Sequence, residues 1–141
     1  MSITRKKFRE IVFYFLYSAE QSSSQDEEVF IKLTMKQLKV TQQNVKMAMD
    51  YVRPLLDSMA EIDEKIAAVT EPEYELKRIS SVERCILRLG VYELLCDPTV
   101  PESVVIAEAM RLCIKFGSVG SQNFINAVLD CILKKKHADK E

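Results

Sequence analysis

Residues 80–95 read SSVERCILRLGVYELL, and they carry the clearest helical pattern in the chain. Ser80 followed three residues later by Glu83 is a capping box, which predicts that a helix begins here. The residues that follow are apolar on nearly every side, apart from four charged positions. A helix of this kind is covered by neighbours on several sides. The stretch therefore predicts a helix at the centre of a bundle.

A long apolar seam precedes this stretch. Thr41 is a candidate N-cap, and the apolar residues after it alternate three and four apart, which is typical of helices packed at a shallow angle. Pro54 lies inside the seam and predicts a kink, because proline lacks an amide hydrogen and crowds the carbonyl one turn before it. The seam consists of Val45, Ala48, Val52, Leu55, Met59, Ile62, Ile66 and Val69.

The N-terminal part of the chain shows two further helical signals. Residues 3–20 carry one apolar stripe that no turn residue interrupts, and we expect a helix there. Ser24 with Glu27 forms a second capping box, which predicts a helix to about Leu38.

The C-terminal part continues the row of helices. Pro101 can occupy the first turn of a helix, Gly117 is a candidate left-handed C-cap, and Ser121 is a candidate cap for the last helix. We therefore predict an all-α protein, a compact bundle of about six to seven helices. It is expected to form a single domain of two subdomains, at about residues 1–70 and 71–141.

The composition excludes several classes of protein. The chain has 141 residues, of which 48% are apolar and 29% charged, with three glycines and four prolines. These values exclude a disordered or collagen-like chain and argue against an all-β fold with many turns. Twenty basic residues stand against 21 acidic ones, so no global positive field indicates nucleic acid. No apolar run is long enough to span a membrane, and we expect a soluble, cytoplasmic protein.

Side chains suited to catalysis or cofactor binding are scarce. The one histidine, His137, lies in a charged C-terminal tail, where it cannot pair with a nucleophile in a cleft. Gly117 and Gly120 form a helix–helix joint and not a phosphate-binding loop. The cysteines lack a CxxC spacing, so we expect reduced core residues and no metal site; they are Cys85, Cys96, Cys113 and Cys131. We predict a protein that is not an enzyme and needs no cofactor.

Two segments are candidates for binding an anionic partner. Residues 5–9, RKKFR, place four cations at a helix start, where the helix dipole disfavours them. Either they are a solvated helix start, or they bind phosphates, with Phe8 stacked on a base. Residues 117–124, GSVGSQNF, offer helix-start amides, two amide side chains and the ring of Phe124. Ordinary capping, with Phe124 in the core, is the alternative for this segment.

Several of these motifs together resemble the NusB family of transcription antitermination factors. The resemblance is strong over residues 81–130, fair over residues 5–20 and weak over residues 21–80. The motifs are Arg9-Glu10 with Leu16-Tyr17, the run from Arg84 to Leu94, Val100-Pro101, Glu108-Ala109, Lys115-Phe116-Gly117 and the run from Phe124 to Asp130.

The resemblance implies an all-helical fold without an active site. It also implies binding of the boxA element of ribosomal RNA leader transcripts, together with the ribosomal protein NusE, within an RNA polymerase antitermination complex. By position, Tyr17 and Glu83 would contact NusE. The residues that would contact the single-stranded RNA are Arg5, Lys6, Lys7, Arg9, Ser121, Gln122, Asn123 and Phe124.

The chain departs from the family pattern at four positions. Asn123 stands where a lysine is usual, which weakens RNA binding at that edge, and Gly120 replaces a frequently acidic residue, which removes a repulsion. Ala107 and Ala127 replace a usual Asn and a usual Gly, and both changes alter packing. An alternative function is a homodimer of the same fold that does not bind RNA. The related RNA-binding domain of a ribosomal RNA methyltransferase is disfavoured, because the chain contains no cofactor-binding α/β segment.

Overall fold

The computed structural model describes residues 3–21, 26–70 and 78–139, and these residues form helices and no strand. The all-α prediction is therefore confirmed. The described helices number seven: α1 (Arg5–Gln21), α2 (Glu27–Leu38), α3 (Gln42–Asp57), α4 (Met59–Ala67), α5 (Ser81–Cys96), α6 (Glu102–Phe116) and α7 (Ser121–Asp139).

The helices pack as two compact units. The first unit holds α1, α2 and α3, and the second holds α4 to α7, with the division between Asp57 and Ser58. The sequence-based subdomain boundary near residue 70 stays a prediction.

In the first unit, α1 and α2 both pack against α3. Thr4 caps α1, since its hydroxyl accepts a 3.1 Å hydrogen bond from the amide of Lys7. The side chain of Asp26 caps α2 by accepting from the amides of residues 28 and 29, whereas the predicted cap Ser24 lies outside the described residues. Arg53 joins α3 to α2 through two hydrogen bonds to the carboxylate of Glu27, of 2.9 and 3.2 Å.

The long apolar seam belongs to two helices and not to one. Thr41 caps α3 as predicted, with its hydroxyl 3.2 Å from the amide nitrogen of Asn44. Pro54 lies inside α3, but the helix is interrupted one turn later, at Ser58, whose φ and ψ of −110° and 23° are not helical. The prediction of one kinked helix is therefore wrong. The seam itself is buried at six of its eight positions, and Met59 and Val69 are half-buried.

In the second unit, α5 packs against α4, α6 and α7, which confirms its predicted central place in this bundle. The hydroxyl of Ser80 accepts from the amide of Glu83 at 3.2 Å and begins the helix as predicted. Arg88 joins α5 to α4 through two 2.9 Å hydrogen bonds to Asp63. A Cβ at Gly90 would lie 3.0 Å from the side chain of Leu129, so α5 and α7 approach closely at this glycine.

The cysteines divide into two classes. Cys85 and Cys113 are buried, as expected, but Cys96 and Cys131 are exposed, so the prediction of four core thiols is wrong for these two. Cys96 is the last residue of α5, where neighbouring helices no longer cover it, and Cys131 lies on the outer face of α7. Over the described ranges, no helix is both long and apolar enough to cross a membrane.

Candidate functional site

The basic cluster at the start of α1 is divided between surface and interior. Arg5 and Lys6 are exposed and Lys7 is half-buried, whereas Arg9 is only 6% exposed. Arg9 lies on the same side of α1 as the buried residues Val12 and Phe13, which follow it three and four positions later. The accessible part of this cluster therefore consists of three cations, and the sequence pattern of four overestimates it.

Phe8, the aromatic residue within this cluster, packs inside the first unit. Its ring meets that of Tyr51 on α3 edge to face, with 5.5 Å between the centroids and 73° between the planes. Edge-to-face pairs are a favoured arrangement of aromatic rings. Phe8 thus ties the start of α1 to α3. Because Phe8 is only half-buried, a stacking role for its ring on a base stays a prediction.

In the second unit, the segment between α6 and α7 makes a tight turn around two glycines. Gly117 has φ and ψ of −87° and −176°, so the predicted left-handed C-cap is wrong. Glycine is required there because a Cβ would lie 2.8 Å from the carbonyl oxygen of Cys113 and 2.7 Å from Oγ of Ser121. The left-handed residue is Gly120, with φ of 93°.

Ser121 stabilises this turn from the buried side. It is only 4% exposed, and its hydroxyl donates a 2.8 Å hydrogen bond to the carbonyl of Ser118. The same side chain contacts the thiol of Cys113, whose pKa burial raises to about 11 although the bond to Ser121 lowers it. Of the residues that the sequence indicated here, Ser121 therefore positions the turn, and the exposed side chains belong to Gln122 and Asn123. Phe124 is half-buried.

A surface cleft of about 360 Å³ opens beside this turn. It combines two polar amide side chains with apolar ones, of which Ile114 is 71% exposed and Val119 fully exposed. Amide groups both donate and accept hydrogen bonds, and apolar side chains cover the flat face of an aromatic ligand. The sequence did not indicate Ile114, because a single apolar residue on a helix does not reveal which way it points. The lining residues are Cys113, Ile114, Gly117, Ser118, Val119, Gly120, Gln122 and Asn123.

The two residues predicted to contact a partner protein lie in different units. Tyr17 on α1 is half-buried, with its ring stacked on that of Phe13 at 6.2 Å and 24°. Glu83 on α5 is half-buried, and its Oε1 accepts a 3.3 Å hydrogen bond from the hydroxyl of Ser118. The bond from Ser118 connects α5 to the turn between α6 and α7, which no sequence pattern indicated.

Metal-binding side chains are not grouped in the described part of the chain, where no three or more His, Cys, Asp or Glu residues form a set that could hold an ion.

Known proteins resemble this chain over almost its whole length. A model of the NusB family matches residues 6–134. The transcription antitermination protein NusB of Syntrophomonas wolfei is 34% identical over 135 residues, which cover 96% of this chain and 99% of that protein. NusB of Campylobacter jejuni is 33% identical over 133 residues, which cover 94% of this chain and 98% of that protein.

Solved structures share the same fold. T. maritima NusB superposes with a TM-score of 0.79 and 29% identity, covering 96% of this chain and 94% of that one. The antitermination factors NusB and NusE in complex with double-stranded RNA give a TM-score of 0.78 and 26% identity, covering 93% of this chain and 96% of that one.

Proposed function

Because this chain belongs to the NusB family, we propose that it is a transcription antitermination factor that binds boxA-type RNA of ribosomal RNA leader transcripts together with the ribosomal protein NusE. The observation that carries this proposal is the match to a solved complex of NusB, NusE and RNA over 93% of the chain. The protein would act within the RNA polymerase antitermination complex in the cytoplasm and would catalyse no reaction.

For the RNA contacts we propose two groups of residues. Arg5, Lys6 and Lys7 offer positive charge at the start of α1, where the helix dipole disfavours it, and such charge is suited to phosphates. Gln122 and Asn123 offer hydrogen bonds beside the cleft between α6 and α7, which is suited to the edge of an unstacked base. These two groups belong to different units, so each can be tested by its own substitutions.

For three other predicted RNA-binding residues we propose roles that fit their burial. Arg9 and Ser121 are buried, and we propose that they support the RNA contacts without touching the RNA. Phe124 is half-buried, so its ring can stack on a base only with the part that is exposed.

For the contact with NusE we propose Tyr17 and Glu83, as the family positions imply. Both side chains are partly exposed, so a partner can reach them without unfolding a helix. Glu83→Lys is expected to weaken NusE binding while the melting temperature stays nearly unchanged. A large fall in melting temperature with unchanged NusE affinity would instead assign Glu83 to the stability of α5.

The experiment that tests the proposed function is a titration of labelled RNA, followed by fluorescence anisotropy. The full chain is added to a single-stranded boxA RNA, to the same RNA in duplex form and to a scrambled sequence, with and without NusE. Preference for a boxA RNA that increases with NusE supports the proposal. Equal and weak binding to all three RNAs, with and without NusE, contradicts it.

A homodimer is the second candidate, and the exposed apolar side chains of α2 favour it. Val29 and Leu33 lie one turn apart and are 50% and 61% exposed, and Met47 on α3 is 54% exposed. Apolar side chains that are grouped on a surface often mark an interface. Sedimentation equilibrium of the full chain and of Leu33→Glu tests this candidate: a dimer that the substitution dissociates supports it, and a monomer in both cases excludes it.

A further inference from the structure

The carboxylate of Glu83 is shared between two parts of the second unit. It belongs to the first turn of α5, and its Oε1 accepts a hydrogen bond of 3.3 Å from the hydroxyl of Ser118. Ser118 follows α6, 35 residues later in the chain. Glu83 is therefore placed to act on the turn between α6 and α7 as well as on its own helix.

Ser118 in turn is bound to the start of α7. Its carbonyl oxygen accepts from the amide of Ser121 at 3.2 Å and from the hydroxyl of Ser121 at 2.8 Å. Gln122 and Asn123 are the next two residues of that helix and are exposed beside the cleft. Two hydrogen bonds thus connect Ser118 to Ser121, the residue directly before the proposed RNA-binding side chains.

We propose that Glu83 is a positioning residue for the RNA-binding turn, and that a partner protein bound to Glu83 raises RNA affinity through Ser118. This inference rests on the proposed function. A carboxylate has two oxygens, so a partner's donor can bind one of them while the other keeps Ser118. A partner that fixes the carboxylate also fixes Ser118. RNA binding then costs less conformational entropy, because the turn is already ordered. Such coupling between two ligands is reciprocal.

The test is a binding cycle on the full chain with Ser118→Ala, which removes the hydroxyl and leaves Glu83 available to the partner. The dissociation constant of a single-stranded boxA RNA is measured alone and at saturating NusE, and the ratio of the two is the coupling factor. We expect Ser118→Ala to lower this factor by about two- to five-fold, the range of one modest hydrogen bond. The affinity for NusE without RNA should be unchanged, and Ser118→Thr, which keeps a hydroxyl, should restore the factor.

Each other outcome overturns the inference in a recognisable way. An equal coupling factor in the parent chain and in Ser118→Ala shows that the coupling does not pass through this pair. An equal loss of RNA affinity with and without NusE leaves the coupling factor unchanged and shows that Ser118 acts on RNA binding independently of the partner. If the parent chain binds RNA and NusE without any coupling, only this inference fails. If the parent chain binds neither, the proposed function itself fails.

Discussion

The ammonium of Lys136 lies 2.7 Å from the carbonyl oxygen of Leu94, so a cation of α7 binds one of the last carbonyls of α5. Carbonyl groups at the end of a helix have no partner within the helix and need one from elsewhere. The same ammonium lies 3.0 Å from the carboxylate of Glu102 in the first turn of α6. Lys136 therefore joins three helices of the second unit.

Replacement of Lys136 should destabilise the protein. We expect Lys136→Met to lower the free energy of unfolding by about 1–2 kcal/mol, because the carbonyl of Leu94 loses a charged hydrogen-bond donor. Lys135→Met is the matched control, since Lys135 is exposed and its removal should change stability by less than about 0.5 kcal/mol. Urea denaturation of both variants measures the difference. Equal midpoints for the two would show that the bond to Leu94 contributes nothing.

Leu55 tests the apolar seam of α3. It is fully buried, and Leu55→Ala should cost about 2–5 kcal/mol through lost transfer energy and the cavity that remains. Leu33→Ala removes the same atoms from an exposed position on α2 and should cost far less. A loss below about 1 kcal/mol for Leu55→Ala would contradict its place in the core.

The salt dependence of RNA binding depends on the accessible cations of α1. If Arg5, Lys6 and Lys7 each neutralise one phosphate of a single strand, the plot of log K against log salt should have a slope near −2, from about 0.7 per phosphate. A fourth phosphate contact, by Arg9, would give a slope near −3. Lys6→Ala should flatten the slope by about 0.7 and weaken all RNAs alike, since it removes a phosphate contact. A slope that survives the removal of all three side chains would exclude α1 from RNA binding.

Arg9 should behave as a structural residue. It is buried, so Arg9→Ala removes packing of its aliphatic stem as well as its charge, and we expect a loss of about 1–3 kcal/mol in stability. Arg5→Ala, at an exposed position one turn earlier, is the control and should leave stability nearly unchanged. The melting temperatures of Arg9→Ala and Arg5→Ala measure this difference. The opposite order of stability would place Arg9 on the RNA-binding surface after all.

The thiols should differ in reactivity. Burial raises the pKa of Cys113 from 9.0 to about 11, so at pH 8 this thiol stays protonated and unreactive in the folded protein. Iodoacetamide at that pH should therefore label the exposed Cys131 first and leave Cys113 unlabelled, as peptide mass mapping would show. The thiol of Cys113 ionises at a lower pH in the unfolded chain than in the folded protein. The contribution of the protonated thiol to stability is therefore full below about pH 9 and is lost as the pH rises towards 11. Rapid labelling of Cys113 in the native protein would contradict its burial.

Local signals in the sequence were sufficient for the helices and for much of the core. The caps at Thr41 and Ser80 act on amides three residues away, and the alternation of apolar residues after Thr41 identifies one face of the chain. Both depend on neighbours within one or two turns, so they are readable before the chain is folded. The break at Ser58 escaped prediction because the apolar spacing continues across it, although the backbone does not.

The candidate site could be predicted only in part, because its geometry comes from residues distant in the chain. Composition and motif order indicated the cations of α1 and the turn at Gly117. They could not indicate that Arg9 turns inward, since a cation on a helix shows its environment only when the neighbouring helices are in place. The bonds from Ser118 to Glu83 and from Lys136 to Leu94 span 35 and 42 residues, and no local pattern encodes a pairing over that distance. The tertiary packing of α5 against α6 and α7 brings these groups together, and it thereby determines which polar side chains stabilise the second unit and which are left to bind a ligand.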